Sequence, residues 1–160
     1  MSTESPRETV VRLVKETRIA MLTTVAPDGQ LVSRPMGVQD VDFDGDLWFF
    51  ADADSHKVHE IEAGSPANVS FASGTSWLSV AGSAEVLDDT AKARELWGPT
   101  AEAWYPDGPD TPGLRIVVVH GATAEYWQSP GGRVATVLSL VKSKVTGERY
   151  DGGENLTVEL

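Results

Sequence analysis

From Ile19 to Trp127 the chain is cut into short runs of β-forming residues, and the turn signals between most of them are of hairpin length. Ile19-Ala20-Met21-Leu22-Thr23-Thr24-Val25 ends on Ala26-Pro27-Asp28-Gly29, with Pro and Asp-Gly where a tight turn favours them. Extended character resumes from Gln30 to Gln39, so the two runs predict a hairpin. Asp42-Phe43-Asp44-Gly45-Asp46 is the next turn and Leu47-Trp48-Phe49-Phe50-Ala51 the next strand. Asn68 to Ala72 and Trp77 to Val86 follow, parted by Ser73-Gly74-Thr75-Ser76. Leu114 to Trp127 closes the series, and its Ile116-Val117-Val118-Val119 run predicts burial on both faces. Connections this short join antiparallel neighbours, because a parallel pair needs a crossover of a dozen or more residues. About six strands joined in this way favour a mainly β fold, a small closed or partly closed barrel with peripheral helices.

The helical segments lie at the margins of that series. Ser5-Pro6-Arg7-Glu8 has a capping Ser, Pro at the first helical position and Glu three residues after the Ser. Val10, Leu13 and Val14 then make one apolar stripe. Ser55 opens a short helix from His56 to Ala63, which Gly64 closes and Pro66 keeps from resuming. Asp88-Asp89-Thr90 caps a helix from Ala91 to Trp97, and a further turn past Gly98-Pro99 carries Ala103-Trp104. Tyr105 to Gly113 holds three prolines and two glycines and reads as loop. Beyond Gly131-Gly132 the spacing of Val134, Val137, Leu138 and Val141 predicts a helix, followed by a polar end. The organisation expected is a single domain over residues 1–160: a helix over 5–17, a barrel core over about 18–127 and a tail over 128–160.

Charge and cysteine content remove several function classes. With 24 acidic and 13 basic side chains the net charge is -11, the wrong sign for gripping a nucleic-acid backbone. A phosphate-bearing cofactor is a different matter, since two or three placed cations suffice for it. Zero Cys excludes disulfides, thiolate metal sites and a thiol nucleophile, and fits a reducing compartment. The polar start Met1-Ser2-Thr3-Glu4-Ser5 lacks a signal-peptide pattern and no window has the ~18 apolar residues of a membrane span, so a cytoplasmic protein without membrane attachment is expected.

The stretch richest in chemistry is Ala51-Asp52-Ala53-Asp54-Ser55-His56-Lys57, where a strand delivers the chain to a helix start carrying a hydroxyl and an ammonium. Free N–H groups and the helix dipole favour an anion there, and Lys57 in the first turn runs against the dipole unless an anion compensates it. The competing reading is a plain cap at Ser55 and a solvated Lys57. Ser33-Arg34-Pro35-Met36 is the second candidate: Pro35 cannot donate to a ladder and so marks an edge or bulge, and Arg34 beside it has the planar fork that suits phosphate. An edge strand guarded by Arg and Pro explains the same residues. Of the five Trp, most belong to core or interface, and one or two of them suit the wall of a flat heteroaromatic ligand. His56 and His59 at i, i+3 raise a metal site, but with Glu60 and Glu62 on other faces a solvated helix surface is expected and no metal. Nucleophile-elbow, Walker and dinucleotide fingerprints are all absent from the sequence, and no side chain stands out as a general acid or base.

Taken in order, these motifs resemble the pyridoxamine 5'-phosphate oxidase-like superfamily of FMN-binding split barrels, and within it the general stress protein 26-like branch. The residues that carry the resemblance are Ser33-Arg34-Pro35-Met36, Leu47 to Ala51, Asp54-Ser55-His56-Lys57-Val58, Trp77 to Glu85, Leu96-Trp97 through Ala103 to Gly108, and Glu125-Tyr126-Trp127. The resemblance implies a six-stranded antiparallel split β-barrel that forms a homodimer with two FMN sites at its interface. It implies that Arg34 and Lys57 hold the FMN phosphate, helped by Ser55 and His56. Arg34, Pro35, Met36, Phe50 and Ala51 would line the isoalloxazine ring, with Trp77 near it and Trp127 contributed by the second subunit. Pyridoxamine phosphate oxidases grip their substrate with a C-terminal Arg-x-His; here the stretch reads Arg133-Val134-Ala135, which argues against that reaction. The function expected is a flavin-dependent oxidoreductase acting on a small substrate, with a non-catalytic, stress-protective flavin carrier as the alternative. The deazaflavin F420 is the alternative cofactor, with haem behind it.

Overall fold

The computed structural model describes residues 4–129, 140–149 and 153–160. Its elements run α1 (Pro6–Glu16), β1 (Ile19–Val25), β2 (Leu31–Gly37), β3 (Asp46–Asp52), α2 (His56–Glu62), β4 (Pro66–Ser73), β5 (Ser76–Leu87), α3 (Thr90–Leu96), α4 (Pro99–Trp104), β6 (Leu114–Gln128) and β7 (Glu154–Glu159). The strands form one sheet in the order β2-β1-β4-β5-β6-β3, with β7 also on β6, and every pairing is antiparallel. The two ends of that path, β2 and β3, touch without sharing a ladder. The barrel is therefore split along the β2–β3 seam. Pro35 lies in β2, an edge strand, as a residue without an N–H donor requires.

The period-two pattern places the core. Ala20, Leu22 and Thr24 of β1 are buried, while Ile19 and Met21 between them are exposed. Ile116 to Val119 are all at most 1% exposed, because β6 has the barrel on one side and α3–α4 on the other. Helix α1 has its expected capping box and lays Val10, Leu13 and Val14 against the barrel core. A smaller core joins Phe50, Ala93, Leu96, Ala101, Leu114 and Ile116, so α3 and α4 are fastened to the outside of β3 and β6. There the Phe50 ring packs against Trp97 at 5.2 Å between centroids. The register of β5 on β6 shifts at Ala81/Gly82, and a Cβ at Gly82 would overlap the carbonyl oxygen of His120.

Two expectations need correction. The sheet has seven strands rather than six, since β7 pairs with residues 123–128 of β6, the part of that edge beyond the β3 ladder, which stops at the Asp46–His120 pair. Five of the six β7 side chains are exposed, so the segment has no apolar alternation by which it is recognised. The predicted tail helix, carried by Val134 to Val141, falls mostly outside the described residues; residues 140–146 are helical, so helix runs on past Val141 into the polar end.

Candidate functional site

The seam between β2 and β3 leads into α2, since β3 ends at Asp52 and α2 begins at His56. Two cavities flank this junction. The smaller, about 190 Å³, is lined by Pro35, Met36, Gly37 and Gln39 of β2 and its exit, by Phe50, Asp52 and Lys57, and by Thr100, Ala101, Trp104 and Tyr105 of the α4 region. The larger, about 670 Å³, is lined by Arg34, His56, His59 and Glu60 at its polar end. Its remaining wall comes from Val25, Ala26, Pro27, Val32, Ala63, Gly64, Ser65 and Pro66. Consecutive residues thus open to opposite cavities: Arg34 and His56 to the larger, Pro35 and Lys57 to the smaller. In a strand that alternation is obligatory, which makes β2 and the first turn of α2 a shared wall.

Charges across this wall are arranged unequally. Arg34 donates from Nη1 to Thr24 Oγ1 at 2.6 Å and to Leu22 O at 3.4 Å, and from Nη2 to Glu60 Oε1 at 3.2 Å. The Glu60 side chain is only 5% exposed, so this is a buried ion pair with a further hydrogen bond from Thr24 at 3.3 Å. Lys57 has no ion pair or hydrogen bond among the described residues, although it is half-buried. Burial holds its ammonium below the usual lysine range, the Arg34 charge pushes the same way, and Asp52 opposes them. Opposite Lys57, the Tyr105 hydroxyl is pushed up to about 12 by burial, by the Asp52 charge and by a hydrogen bond with that carboxylate. At neutral pH it is a fixed, neutral hydroxyl.

The remaining candidates fall in different places. Ser55 is at the N-cap position of α2, but its side chain makes no capping bond and donates to Asp52 O at 2.6 Å. Ala51 is 1% exposed inside the barrel, and Phe50 is held by Trp97 and Tyr105. Trp77 and Trp127 are register partners on β5 and β6, 48% and 36% exposed, and line neither cavity. They lie on the outward face of the sheet. On β2, β1, β4 and β5 as far as Ala81 that face also carries Ser33, Pro35, Ile19, Met21, Thr23, Asn68, Ser70, Ala72, Ser79 and Ala81, with Glu125 of β6 at its border and Glu85 farther along β5. In a chain of net charge -11, the stretch from β2 to Ala81 of β5 stands apart in carrying no charged side chain on this face.

The sequence puts Glu60 on a face of α2 other than that of His56 and His59, and the structure shows that this face is the inner one. His56 and His59 on the same helix are exposed, but Glu60 shares the inner face of α2 with Val58 and Ile61 and pairs with Arg34. Thr24 is the third member of that cluster, and its inward place in β1 was readable from the alternation of Ala20, Leu22 and Thr24. Asp52, Thr100 and Tyr105 were missed as well, because α4 reaches the seam only through the second core. Among the described residues no three His, Asp or Glu side chains cluster as a metal would require.

The comparisons with known proteins bear on this geometry. Residues 5–151 match the family described as pyridoxamine 5'-phosphate oxidase like. The chain belongs to that family. The Neurospora crassa protein bli-3 is 29% identical over 143 residues, covering 82% of this chain and 68% of that protein. The crystal structure of a general stress FMN/FAD binding protein from Xanthomonas citri is similar at TM-score 0.65 and 27% identity, over 75% of this chain and 86% of that one. A Clostridium acetobutylicum protein related to general stress protein 26 shares the fold at TM-score 0.72 and 18% identity, over 95% and 92% of the two chains. The expected mainly β split-barrel architecture and the general-stress resemblance both stand. No helix among the described residues is long and apolar enough to cross a membrane.

Proposed function

We propose that this family member binds a flavin, FMN in the first instance, at the β2–β3 seam, and uses it for a redox reaction on a small substrate. The observation that carries the reading is Lys57: a half-buried ammonium without an ion-pair partner, beside Arg34 and at the mouth of a cavity. Leaving such a charge unpaired is unfavourable unless a ligand anion completes it. The donor set fits a phosphate. Lys57 supplies a point charge, and Arg34 uses three of its five N–H groups on Thr24, Leu22 and Glu60, which leaves two. His56 stands on the same turn of α2 as Lys57.

When bound, the flavin would supply the hydride or electron acceptor, which no side chain of this protein provides. The chain's own contribution is binding and orientation. Pro35, Met36 and Gly37 border the smaller cavity and suit the edge of a flat ring, while Trp104, 70% exposed, stands at its rim. Tyr105, neutral at ordinary pH, can donate a hydrogen bond but does not act as a general acid or base near pH 7. The reaction therefore depends on positioning.

A homodimer belongs to the same proposal. A cavity of about 190 Å³ is below the range that encloses a cofactor-sized ligand, so a second wall is needed. The outer face of β2, β1, β4 and β5 as far as Ala81, free of charged side chains and with Trp77 and Trp127 at one side, supports a second copy as that wall. Purified protein titrated with FMN tests the reading: quenching of flavin fluorescence is expected, with affinity falling at least tenfold in Lys57→Met. Absence of any flavin uptake would refute it. Substrate-driven bleaching of the bound flavin then separates an oxidoreductase from a non-catalytic carrier.

A further inference from the structure

Beside the seam lies a further cavity, between the α1–β1 connection and the chain that leaves β2. It is about 680 Å³, a size that takes a small organic ligand. Val14, Val38, Val41 and Phe43 give it hydrocarbon walls. The α1–β1 connection contributes Lys15 and Arg18 and the other side Asp40 and Asp42, all four exposed, so no net charge favours an ion there. Its buried polar groups are more selective. Gln39 is 8% exposed and borders both this cavity and the smaller one at the seam. Its Nε2 donates to Gly37 O at 3.2 Å, and nothing among the described residues donates to its Oε1. No side-chain polar atom shut off from solvent lacks a partner among the described residues, so Oε1 faces open space, and the open space bordering Gln39 is that of the two cavities. Thr17, also 8% exposed, spends its hydroxyl proton on Leu13 O at 3.0 Å and can offer only an acceptor. The N–H groups of Val38 and Val41 are taken by Arg18 O and Gln39 O. An acceptor held among hydrocarbon side chains is unfavourable until water or a ligand donates to it.

We propose that this cavity binds an uncharged, largely apolar molecule through a hydroxyl that donates to Gln39 Oε1, that is, a phenol or an alcohol. Nε2 of Gln39 keeps a second N–H, which a hydroxyl oxygen can accept and a ring N–H cannot. Gln39 and Thr100 line both cavities, so a molecule held here borders the space assigned to the flavin. Its role as the redox substrate rests on the flavin reading above; its binding does not.

The test is binding to the full, flavin-free chain at neutral pH, read by calorimetry and ligand-observed NMR with 2-naphthol, 2-methoxynaphthalene and 2-naphthoate. The methoxy compound keeps the rings and the oxygen and loses only the donor. 2-Naphthol is expected to bind at least about tenfold more tightly than either of the others. Gln39→Leu keeps the bulk and removes the amide, and is expected to bring 2-naphthol down to the affinity of the methoxy compound. Val41→Trp fills the cavity from an exposed position and is expected to lose the 2-naphthol preference as well, which keeps the test open if the Gln39 variant does not fold. 2-Naphthol bound no more tightly than 2-methoxynaphthalene, an unchanged preference in either folded variant, or 2-naphthoate as the tightest ligand each overturns the pocket. Binding of 2-naphthol by a chain that takes up no flavin would keep the pocket and remove its redox role. Uptake of FMN without 2-naphthol binding would strike the pocket and leave the flavin reading standing.

Discussion

Replacing Arg34 with Met tests whether the Glu60 pair is an organising contact of the barrel. Met keeps much of the volume and removes the charge, so the variant leaves Glu60 at 5% side-chain exposure with only the Thr24 hydroxyl near it. Removing one partner of a buried pair costs about 3–5 kcal/mol, because the other charge stays desolvated and unpaired. Arg34 is itself 18% exposed, and solvent at its rim favours the lower end, about 3 kcal/mol. The hydrogen bonds to Thr24 at 2.6 Å and Leu22 O at 3.4 Å go with it. For a chain of 160 residues each kcal/mol lowers Tm by about 2–4 °C, so a loss of about 6–12 °C is expected. The assay is thermal and urea unfolding of flavin-free protein, with Glu60→Met and the double variant completing the cycle. Replacing both members of a buried pair by apolar side chains is often neutral, so the double variant should be more stable than either single one. Additive losses in the double variant, or an Arg34→Met protein within about 1 kcal/mol of the parent, would show that the pair is not buried as described.

Other expectations follow from the same geometry. Lys57→Met should leave flavin-free protein at least as stable near neutral pH, because the folded state there carries a desolvated charge, while flavin affinity falls; a matching loss of Tm and affinity would instead indicate structural damage. In the parent, flavin affinity should decline as pH rises through the lowered pKa of Lys57, since a phosphate binds the protonated form, and the decline should vanish in that variant. Tyr105 holds its proton to about pH 12, so its contribution to stability is full below the ordinary tyrosine pKa and is lost as pH climbs from there toward 12; an ultraviolet phenolate titration of Tyr105→Phe should lack that late step. His120 sits between Asp46 at 2.8 Å and Glu85 at 3.2 Å, and these two raise its pKa. Its charged form therefore stabilises the β3–β6–β5 junction below the unfolded value and ceases to as pH rises through the folded one, so the Tm difference between parent and His120→Asn should shrink from pH 5.5 to 8.5. Ser70→Arg, in the middle of the outer face of β1, β4 and β5, should convert the proposed dimer to monomer in sedimentation, and an unchanged mass would remove that face as the interface.

How much of this was legible in the sequence depends on the range of the interaction concerned. Hairpins, caps and the strand at Ile116–Val119 are local, and turn chemistry and period-two alternation specify them within ten residues or so. Arg34 and Lys57 were singled out for the same reason: each breaks a local rule, an Arg beside an edge Pro and a Lys in the first helical turn. Glu60 breaks none. An acid in a short helix rich in polar residues reads as solvated, and only the arrival of β1 and β2 across 36 and 26 positions of chain buries it. Tyr105 and Asp52 are similar, joined because Phe50, Ala101 and Leu114 fasten α4 over the end of β3. Trp77 and Trp127 show the converse. Their strands are legible, but their outward direction follows from the β5–β6 register, which no local pattern specifies.

That division explains why the charge at the seam is more informative than its motif. The motif supplies two cations, and two cations alone suit any phosphate. Glu60 changes the count, because a carboxylate buried at 3.2 Å removes one of them from the balance while leaving its N–H groups able to bond. On the proposed reading the seam would hold a phosphate by hydrogen-bond geometry from Arg34 and by charge from Lys57, two functions that the sequence pattern alone does not separate. Selectivity between a dianionic and a monoanionic phosphate depends on that separation. A Glu60→Gln protein, with the same shape and one charge fewer, is where the two contributions come apart.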